Sequence, residues 1–126
     1  LIKKIYDIKN NKSNKLILWG NGRAKREVLH VDDLADACVF FMKKKTKHKL
    51  INIGTGKDYS IIYYAKLISQ IILKKKIPIK FDKSKPNGVF RKVLNISLAK
   101  KYGWKPKINL KNAILKSYYS YEKEKK

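Results

Sequence analysis

The stretch that decides the fold is WGNGRAKREVLHVDDLADA, from Trp19 to Ala37. An apolar run, Lys15–Trp19, leads into it and predicts a β-strand. Gly20-Asn21-Gly22 ends this strand, because glycine and asparagine tolerate the positive φ angles that tight turns need. Arg26 follows just past the turn, and residues alternate loosely between apolar and polar over Val28–Val31. The stretch thus predicts a strand and a turn, with Arg26 lying close to the turn.

A helix is predicted at the end of the stretch, with Asp32 as its N-cap, since aspartate accepts hydrogen bonds from free backbone N–H groups of a first turn. Asp33 adds a negative charge that the helix dipole favours there. His30 is interpreted as a packed or hydrogen-bonded structural residue. The apolar positions with helical spacing are Leu34, Ala37, Cys38 and Phe41. Cys38, the single cysteine, is therefore expected to be a buried structural thiol without a disulfide partner.

The same order of elements recurs farther along the chain. Leu50–Ile53 predicts a short strand that the turn Gly54-Thr55-Gly56 ends. Ser60 is then predicted to cap a helix. The apolar face of this helix consists of Ile61, Ala65, Ile68 and Ile72. Ile77–Phe81 predicts another strand, at a sheet edge or strand start because Pro78 donates no backbone hydrogen bond, and an exposed polar loop follows it.

Two further helices are predicted in the last third of the chain. A short helix over 97–101 would be capped by Ser97 and ended by Gly103, a favourable residue just past a helix. Asn109 would cap the last helix. Its apolar positions are Leu110, Ala113, Ile114 and Tyr118. Residues 122–126 are expected to fray as a basic tail.

Length and composition are those of one globular domain: 126 residues, of which 44% are hydrophobic, can bury a core. The sequence shows no run of 18 apolar residues and no signal segment, so a cytoplasmic location is expected. His30 and His48 have no third ligand at a useful spacing, so no metal site is predicted. The chain begins at Leu1 and its single methionine is Met42, which indicates a partial gene product beginning in a helix tail, Leu1–Tyr6.

The formal net charge of +23 is typical of nucleic-acid-binding proteins and needs a cause. Proteins that grip phosphates use arginine as well as lysine, because guanidinium binds phosphate through two hydrogen bonds. Only Arg23, Arg26 and Arg91 are arginine, whereas lysine, isoleucine, asparagine and tyrosine, with A/T-rich codons, make up about half the chain. Lys43–Lys45 and Lys74–Lys76 also lie at predicted helix ends, where the dipole favours cations. Genome composition is the favoured cause, and nucleic-acid binding remains the alternative.

Four motifs together resemble the C-terminal, substrate-binding part of extended short-chain dehydrogenases/reductases that act on sugar nucleotides. They are the Trp19–Ala37 stretch with its His-Val-Asp-Asp helix start, INIGTG at 51–56, FDKSKPNGVFRK at 81–92 and YGWKP at 102–106. Within this NAD-dependent epimerase/dehydratase family, the 81–92 loop is similar to that of the GDP-L-fucose synthases. The resemblance covers about residues 15–121. It implies an α/β lobe of short strands alternating with helices, without the N-terminal Rossmann half.

The resemblance also implies that the family's cofactor site and catalytic residues lie in that missing half. No glycine-rich dinucleotide fingerprint follows a strand here, so NADP(H), the cofactor of the intact family, is not expected to bind this chain alone. Tyr119/Lys123 and Tyr121/Lys125 match the family's Tyr-x-x-x-Lys spacing by chance in so lysine-rich a chain, and no catalytic residue is assigned. The implied partners are a GDP-sugar substrate, a separately encoded Rossmann half and, in the intact family, a second copy in a homodimer. No specific nucleic acid or membrane partner is implied.

Substrate binding is assigned by the same resemblance, first of all to Arg26 and Trp19. A sugar nucleotide presents a diphosphate, a flat base and a polar sugar, so its pocket needs planar cations and an aromatic wall. Arg26 matches the family's nucleotide-contacting arginine; the alternative is a surface ion pair with Glu27. Trp19 matches a residue that lines the substrate pocket; the alternative is a place in the core.

The 81–92 loop adds three candidate substrate-binding residues. Arg91 and Lys92 match the basic pair that ends this loop in the family, and Lys85 is a further candidate. For each of them the alternative is a solvated charge, the common state of a lysine or arginine in so basic a chain. Three departures from the family pattern occur nearby, at Asn87 (commonly Asp), Val89-Phe90 (usually Thr-Pro) and Asn95 (commonly Asp).

Three functions remain open at this point. The first is the substrate-binding fragment of a GDP-L-fucose synthase-like enzyme, whose family epimerises and reduces GDP-4-keto-6-deoxy-D-mannose to GDP-L-fucose with NADPH. The second is a fragment of another sugar-nucleotide epimerase, dehydratase or reductase. The third is a basic nucleic-acid-binding module. As a lobe without its Rossmann half, the chain is expected to be marginally stable and inactive alone.

Overall fold

The computed structural model describes residues 1–125, in which short strands alternate with helices, as the sequence predicts. The elements in chain order are α1 Ile2–Lys9, β1 Leu16–Trp19, β2 Lys25–Glu27, α2 Val31–Met42, β3 Asp58–Ser60, α3 Ile61–Leu73, β4 Ile79–Asp82, β5 Arg91–Lys92, α4 Ser97–Lys101 and α5 Leu110–Glu124. The predicted mixed α/β class is therefore confirmed.

The strands form two small sheets within the described residues. β1 and β4 pair in parallel, which places Trp19 opposite Asp82 at their carboxyl ends. In the second sheet β2 is central, antiparallel to β3 and parallel to β5. β4 follows Pro78 directly and has β1 as its one partner, in agreement with the edge position predicted for it.

Apolar burial is divided between two clusters. The larger joins α1, β1, α3 and α5 through Ile5, Leu16, Leu18, Tyr64, Ala65, Ile68 and Ile114. The smaller joins α2 and α4 through Ala37, Ala99 and Trp104. α1, expected as a helix tail at Leu1–Tyr6, is a helix that packs on α3 and α5. The larger cluster therefore holds β1, whose end carries Trp19.

Three predicted helix termini are confirmed. The Ser60 hydroxyl accepts the N–H of Tyr63 at 3.2 Å and begins α3. The Asn109 side chain accepts the N–H of Asn112 at 2.9 Å and begins α5. Gly103 follows α4 with φ +97°, a conformation that residues with a β-carbon rarely adopt.

The cap of α2 differs from the prediction. His30 Nδ1, not Asp32, accepts a first-turn N–H, that of Asp32 at 3.1 Å, because the helix begins at Val31, two residues earlier than a cap at Asp32 implies. The Asp32 carboxylate instead accepts from Lys116 Nζ on α5 at 2.8 Å. The prediction for Ser97 is also wrong: it is the first residue of α4, and its own N–H donates to Asn95 Oδ1 at 3.0 Å.

The buried face of α2 is rotated by about one residue from the predicted face. Asp33 is buried, and its two oxygens accept the N–H groups of Lys107 and Ile108, each at 3.0 Å. This contact turns Asp33 and Ala37 inward and leaves Cys38 exposed, so the expectation of a buried thiol is wrong. The outward face of α2 consequently carries the exposed apolar residues Val31, Leu34, Val39 and Met42.

Leu50–Ile53 does not form the predicted strand. Ile51 and Ile53 pack against the smaller cluster, and the Asn52 side chain donates to the carbonyl oxygen of Asn95 at 3.3 Å. Both sides of β2 are already occupied by β3 and β5. The alternation of apolar residues here reflects packing on the cluster and not a hydrogen-bonded ladder among the described strands.

α5 continues to Glu124, although fraying was expected past Tyr121. Glu122 explains the added turn, since its carboxylate accepts from Lys9 Nζ at 3.1 Å and from the Tyr118 hydroxyl at 2.7 Å. Of the expected tail at 122–126, Lys126 lies outside the described residues.

Glu27, the last residue of β2, connects three segments of the chain. Its Oε1 accepts the N–H groups of Thr55 and Gly56 and the Thr55 hydroxyl, and its Oε2 accepts the N–H of Leu94 at 2.7 Å. Gly54 lies so close to this carboxylate that a β-carbon there would overlap Oε1. The carboxylate thereby holds the turn before β3 and the segment after β5 against β2.

Replacing Glu27 with glutamine should destabilise the fold. Glu27→Gln preserves the shape but turns one acceptor oxygen into an NH₂ group that must face backbone N–H donors. We expect the free energy of unfolding to fall by about 2 kcal/mol, measured by urea denaturation followed by circular dichroism. Glu124→Gln makes the same chemical change at the exposed end of α5 and should cost less than about 0.5 kcal/mol. Equal stability of the two variants would contradict the role given to Glu27.

Candidate functional site

The candidate site begins where β1 and β4 end side by side. Their parallel register brings the Gly20–Gly22 turn after β1 next to the loop 83–90 after β4. The Gly20 N–H donates to the carbonyl oxygen of Asp82 at 2.9 Å, and the Asn21 N–H donates to Asn87 Oδ1 at 2.8 Å. Two motifs that lie about 60 residues apart in the sequence are thereby joined.

Trp19 is exposed at this junction. Trp19 is 65% exposed and belongs to neither apolar cluster of the described residues, whereas Trp104 is only 2% exposed. Lys85 Nζ, from the 83–90 loop, lies 5.8 Å from the centre of the Trp19 ring, within the range of a cation–π contact. The structure therefore brings these two candidate residues together.

Arg26 lies on the central strand β2 and contacts the same loop. Its Nη1 donates to the carbonyl oxygen of Val89 at 2.7 Å and to that of Lys25 at 2.6 Å. No ion pair with Glu27 forms, because neighbouring side chains of a strand point to opposite faces and Glu27 binds backbone N–H groups on its own side. Within residues 1–125, Nε and Nη2 of Arg26 have no hydrogen-bond partner.

Arg91 and Lys92 form β5, opposite Lys25 and Arg26 of β2. Arg91 is not a free surface charge: its Nε and Nη2 donate to the two oxygens of Asp58 at 2.6 and 3.1 Å. This bidentate pair joins β5 to β3. Lys92 is exposed and has no ion-pair partner among the described residues.

Tyr64 supports the strand that carries Arg26, although no sequence pattern marks it as a site residue. It is buried in the larger cluster, and its hydroxyl donates to the carbonyl oxygen of Arg26 at 2.9 Å. Burial raises the pKa of this hydroxyl to about 12. The hydroxyl is therefore protonated at neutral pH and remains a hydrogen-bond donor to β2. Asn87 and Asp58 were likewise missed as site residues, because their partners are distant in the sequence.

The described residues do not form a dinucleotide cradle. Such cradles place a glycine turn between a strand and the N-terminus of a helix, where the pyrophosphate binds. Here the Gly20–Gly22 turn leads from β1 into β2, and the Gly54–Gly56 turn leads into β3. No three His, Cys, Asp or Glu side chains within residues 1–125 are grouped to hold a metal ion. None of the helices described here has the length and apolar character that crossing a membrane requires.

The Arg91–Asp58 pair should be visible in a titration. The Arg91 guanidinium, through its hydrogen bonds, holds the pKa of the Asp58 carboxyl below its ordinary value of 3.8. The contribution of the pair to stability is therefore present above pH 3.8 and is lost as the pH falls through the lower, folded-state pKa. In Arg91→Gln we expect the pKa of Asp58 to rise towards 3.8, measured by NMR of the carboxyl carbon. Lys92→Gln should leave it unchanged, and an equal response to both changes would contradict the pairing.

Comparison with known proteins places this geometry in a family. Residues 1–54 match the model of the NAD-dependent epimerase/dehydratase family. The GDP-L-fucose synthase of Sinorhizobium fredii is 37% identical over 96% of this chain, but the match covers only 38% of that protein. The chain thus spans less than half the length of the curated relatives that it matches.

Solved structures give the same assignment. The GDP-mannoheptose C4 reductase from Campylobacter jejuni, solved with NADP bound, superposes with a TM-score of 0.77 and 31% identity over 97% of this chain and 43% of that one. The UDP-glucose 4-epimerase from Thermotoga maritima has the same fold, with a TM-score of 0.82 and 23% identity over 99% of this chain and 40% of that one. The chain therefore belongs to the NAD-dependent epimerase/dehydratase family of extended short-chain dehydrogenases/reductases, of whose matched members it spans about two-fifths.

Proposed function

We propose that this chain is the C-terminal, substrate-binding part of a GDP-L-fucose synthase-like enzyme, which epimerises and reduces GDP-4-keto-6-deoxy-D-mannose to GDP-L-fucose with NADPH. The observation that carries the proposal is the seating of the 83–90 loop on both β1 and β2. Lys85 of this loop contacts the Trp19 ring and Val89 of this loop accepts from Arg26, so we propose that the loop joins the three residues in one site. An aromatic face, an ammonium group and a planar guanidinium are the groups that a nucleoside diphosphate needs for binding.

The proposed role of each side chain follows from the hydrogen-bonding group, ring face or charge that its contacts within the described residues leave unused. Arg26 is anchored by Nη1 and would bind a phosphate oxygen through Nε and Nη2. Trp19 would stack on a flat or apolar face of the substrate, and Lys85 and Lys92 would add positive charge near the diphosphate. Arg91 is committed to Asp58, so its proposed contribution is to fix the end of the loop.

The rest of the reaction would come from another part of the protein. The relatives are more than twice as long as the matched region, and the described residues offer no dinucleotide cradle. The apolar outward face of α2 and the unpaired segment 50–53 support a covering partner, which we propose to be the NADPH-binding half. We accordingly propose a single partial domain, inactive alone, which works in a cytoplasmic, homodimeric enzyme.

A reductase of another GDP-sugar is the second candidate. It is favoured by the 31% identity to the GDP-mannoheptose C4 reductase over nearly the whole chain. Both candidates share recognition of GDP and differ in the sugar.

Nucleotide binding can be measured on the 126-residue chain through its own tryptophans. Trp19 is exposed and Trp104 is buried, so GDP should quench mainly Trp19 emission. We expect GDP to bind at least about fivefold more tightly than UDP or dTDP. Arg26→Gln should weaken binding about tenfold or more, because a charge-assisted hydrogen bond to phosphate is lost.

Arg23→Gln provides the matched control, since Arg23 is an exposed arginine that lies three residues earlier. It should change the GDP dissociation constant less than about twofold. Trp19→Phe should remove the fluorescence signal, with calorimetry reporting the remaining affinity. UDP bound as tightly as GDP would favour an enzyme acting on other sugar nucleotides. Nucleic acid bound more tightly than GDP at physiological salt would overturn the proposal.

The isolated chain should not oxidise NADPH in the presence of a GDP-4-keto-6-deoxy sugar. The physical reason is that no strand, glycine turn and helix within residues 1–125 form a site for the pyrophosphate. NADPH absorbance is the measurement, with the intact Sinorhizobium fredii enzyme as the positive control. Turnover by the purified chain would contradict the proposal that it is a substrate-binding part alone.

A further inference from the structure

We infer that Asn87 is the positioning residue that seats the 83–90 loop and thereby places Lys85 and Arg26 for the nucleotide. The inference rests on the nucleotide-binding role proposed above. It concerns how the site is built and not which groups touch the substrate.

The contact between Asn87 and the opposite turn is unusually close. Asn87 Oδ1 accepts the N–H of Asn21 at 2.8 Å. A β-carbon on Gly20 would overlap this same oxygen and would lie 3.1 Å from the Asn87 α-carbon. Gly20 also has φ +65°, which glycine adopts without strain. The turn is therefore shaped to admit the Asn87 side chain.

The turn also presents its N–H in a fixed direction. The Asn21 side chain accepts the N–H of Arg23 at 2.9 Å, and the Gly20 N–H is held by the carbonyl oxygen of Asp82 at 2.9 Å. These bonds set the backbone on both sides of the Asn21 amide. Asn87 thus meets a donor that is already oriented.

Hydrogen bonds have to order this loop, because burial does not. Every residue from 83 to 90 is exposed, so little apolar surface holds the loop in place. Asp82 Oδ1 accepts the Ser84 N–H at 3.1 Å at one end, and Arg26 holds the Val89 carbonyl oxygen at the other. Among the described residues, Asn87 makes the one side-chain hydrogen bond between these ends.

Lys85 and Arg26 both depend on this central contact. Lys85 lies between the Ser84 and Asn87 attachments, so the position of its ammonium group over the Trp19 ring follows from them. Gly88 lies between Asn87 and Val89, with φ +68°, and faces Arg26: a β-carbon there would be 3.3 Å from Nη2. Release of Asn87 would therefore disturb Lys85 directly and the free edge of Arg26 through Gly88.

The test compares Asn87→Ala with Asn87→Asp. Alanine removes the acceptor, whereas an aspartate oxygen accepts the same N–H. In Asn87→Ala we expect exchange of the Asn21 amide hydrogen, followed by NMR, to be about tenfold faster, and GDP affinity to fall about five- to tenfold. Asn87→Asp should stay within about twofold of the parent chain in both measurements. Asn14→Ala, in an exposed bend before β1, is the control and should change neither.

Gly20→Ala also releases Asn87, since its methyl group would overlap the side-chain oxygen, and it adds the strain of alanine at φ +65°. It should therefore accelerate exchange of the Asn21 amide hydrogen at least as much as Asn87→Ala does. Asn87→Gln, whose acceptor is displaced by one methylene, replaces Asn87→Ala if the latter does not fold by circular dichroism. It is expected to lose the Asn21 protection in the same way.

The two proposals fail in different ways. If the Asn21 amide is protected and Asn87→Ala releases it, but the parent chain does not bind GDP, the proposed function is wrong and the seating of the loop stands. Equal exchange of the Asn21 amide in the parent and Asn87→Ala overturns the inference. Failure of Asn87→Asp to restore protection also overturns it, whatever the GDP affinity.

Discussion

The hydrogen bonds accepted by the Glu27 carboxylate are the constraint on which the site depends. β2 is only three residues long, yet it lies between β3 and β5. Glu27 attaches the strand to residues 55, 56 and 94, and Arg26 attaches it to the 83–90 loop on its other face. Because side chains alternate along a strand, the carboxylate holds β2 in place without neutralising the guanidinium beside it. The structural carboxylate of Glu27 and the candidate binding group of Arg26 thus lie on opposite faces of the same strand.

Other acidic residues also hold distant segments of the chain together. The chain has nine acidic residues against 32 lysines and arginines. Asp32 accepts from Lys116, and Asp58 accepts from Arg91. Asp36 accepts from Lys107 and Trp104. Each carboxylate thus joins distant segments, and these hydrogen bonds lower the pKa of all three carboxyls. Each such contact stabilises the fold above pH 3.8 and loses its effect below the depressed pKa. The lysine bias is therefore tolerated where side chains face water, while carboxylates are used to join the elements.

The sequence predicts the elements whose signals are local. β1, α3 and α5 follow from apolar periodicity and from caps at Ser60 and Asn109, which act within one turn. β2 and β5 contain three and two residues, too few for any period to be recognised. The exposure of Cys38 could not be foreseen, because the orientation of α2 is set by Asp33 and a segment more than 70 residues away.

The candidate site was likewise predictable only in part: the sequence indicates some of its residues but not their contacts. Resemblance to a family names Trp19 and Lys85, but their proximity depends on the register of β1 with β4. Arg91 shows the limit of such reasoning, since its partner Asp58 belongs to another strand. Asn87 was noticed only as a departure from the family pattern, and its role depends on a backbone N–H that no sequence pattern marks.

The register of β1 with β4 also bears on the order in which the molecule folds. Leu16 and its partner Ile79 are separated by about 60 residues. The chain therefore loses the entropy of closing a long loop before the hydrogen bonds between β1 and β4 can form. α2 and α3 lie within that loop and form from local contacts. During synthesis, β1 leaves the ribosome well before β4 and the segment that reaches Asn87. The candidate site is consequently among the last regions to assemble, and a chain halted before residue 83 would contain Trp19 and Arg26 without the loop that joins them.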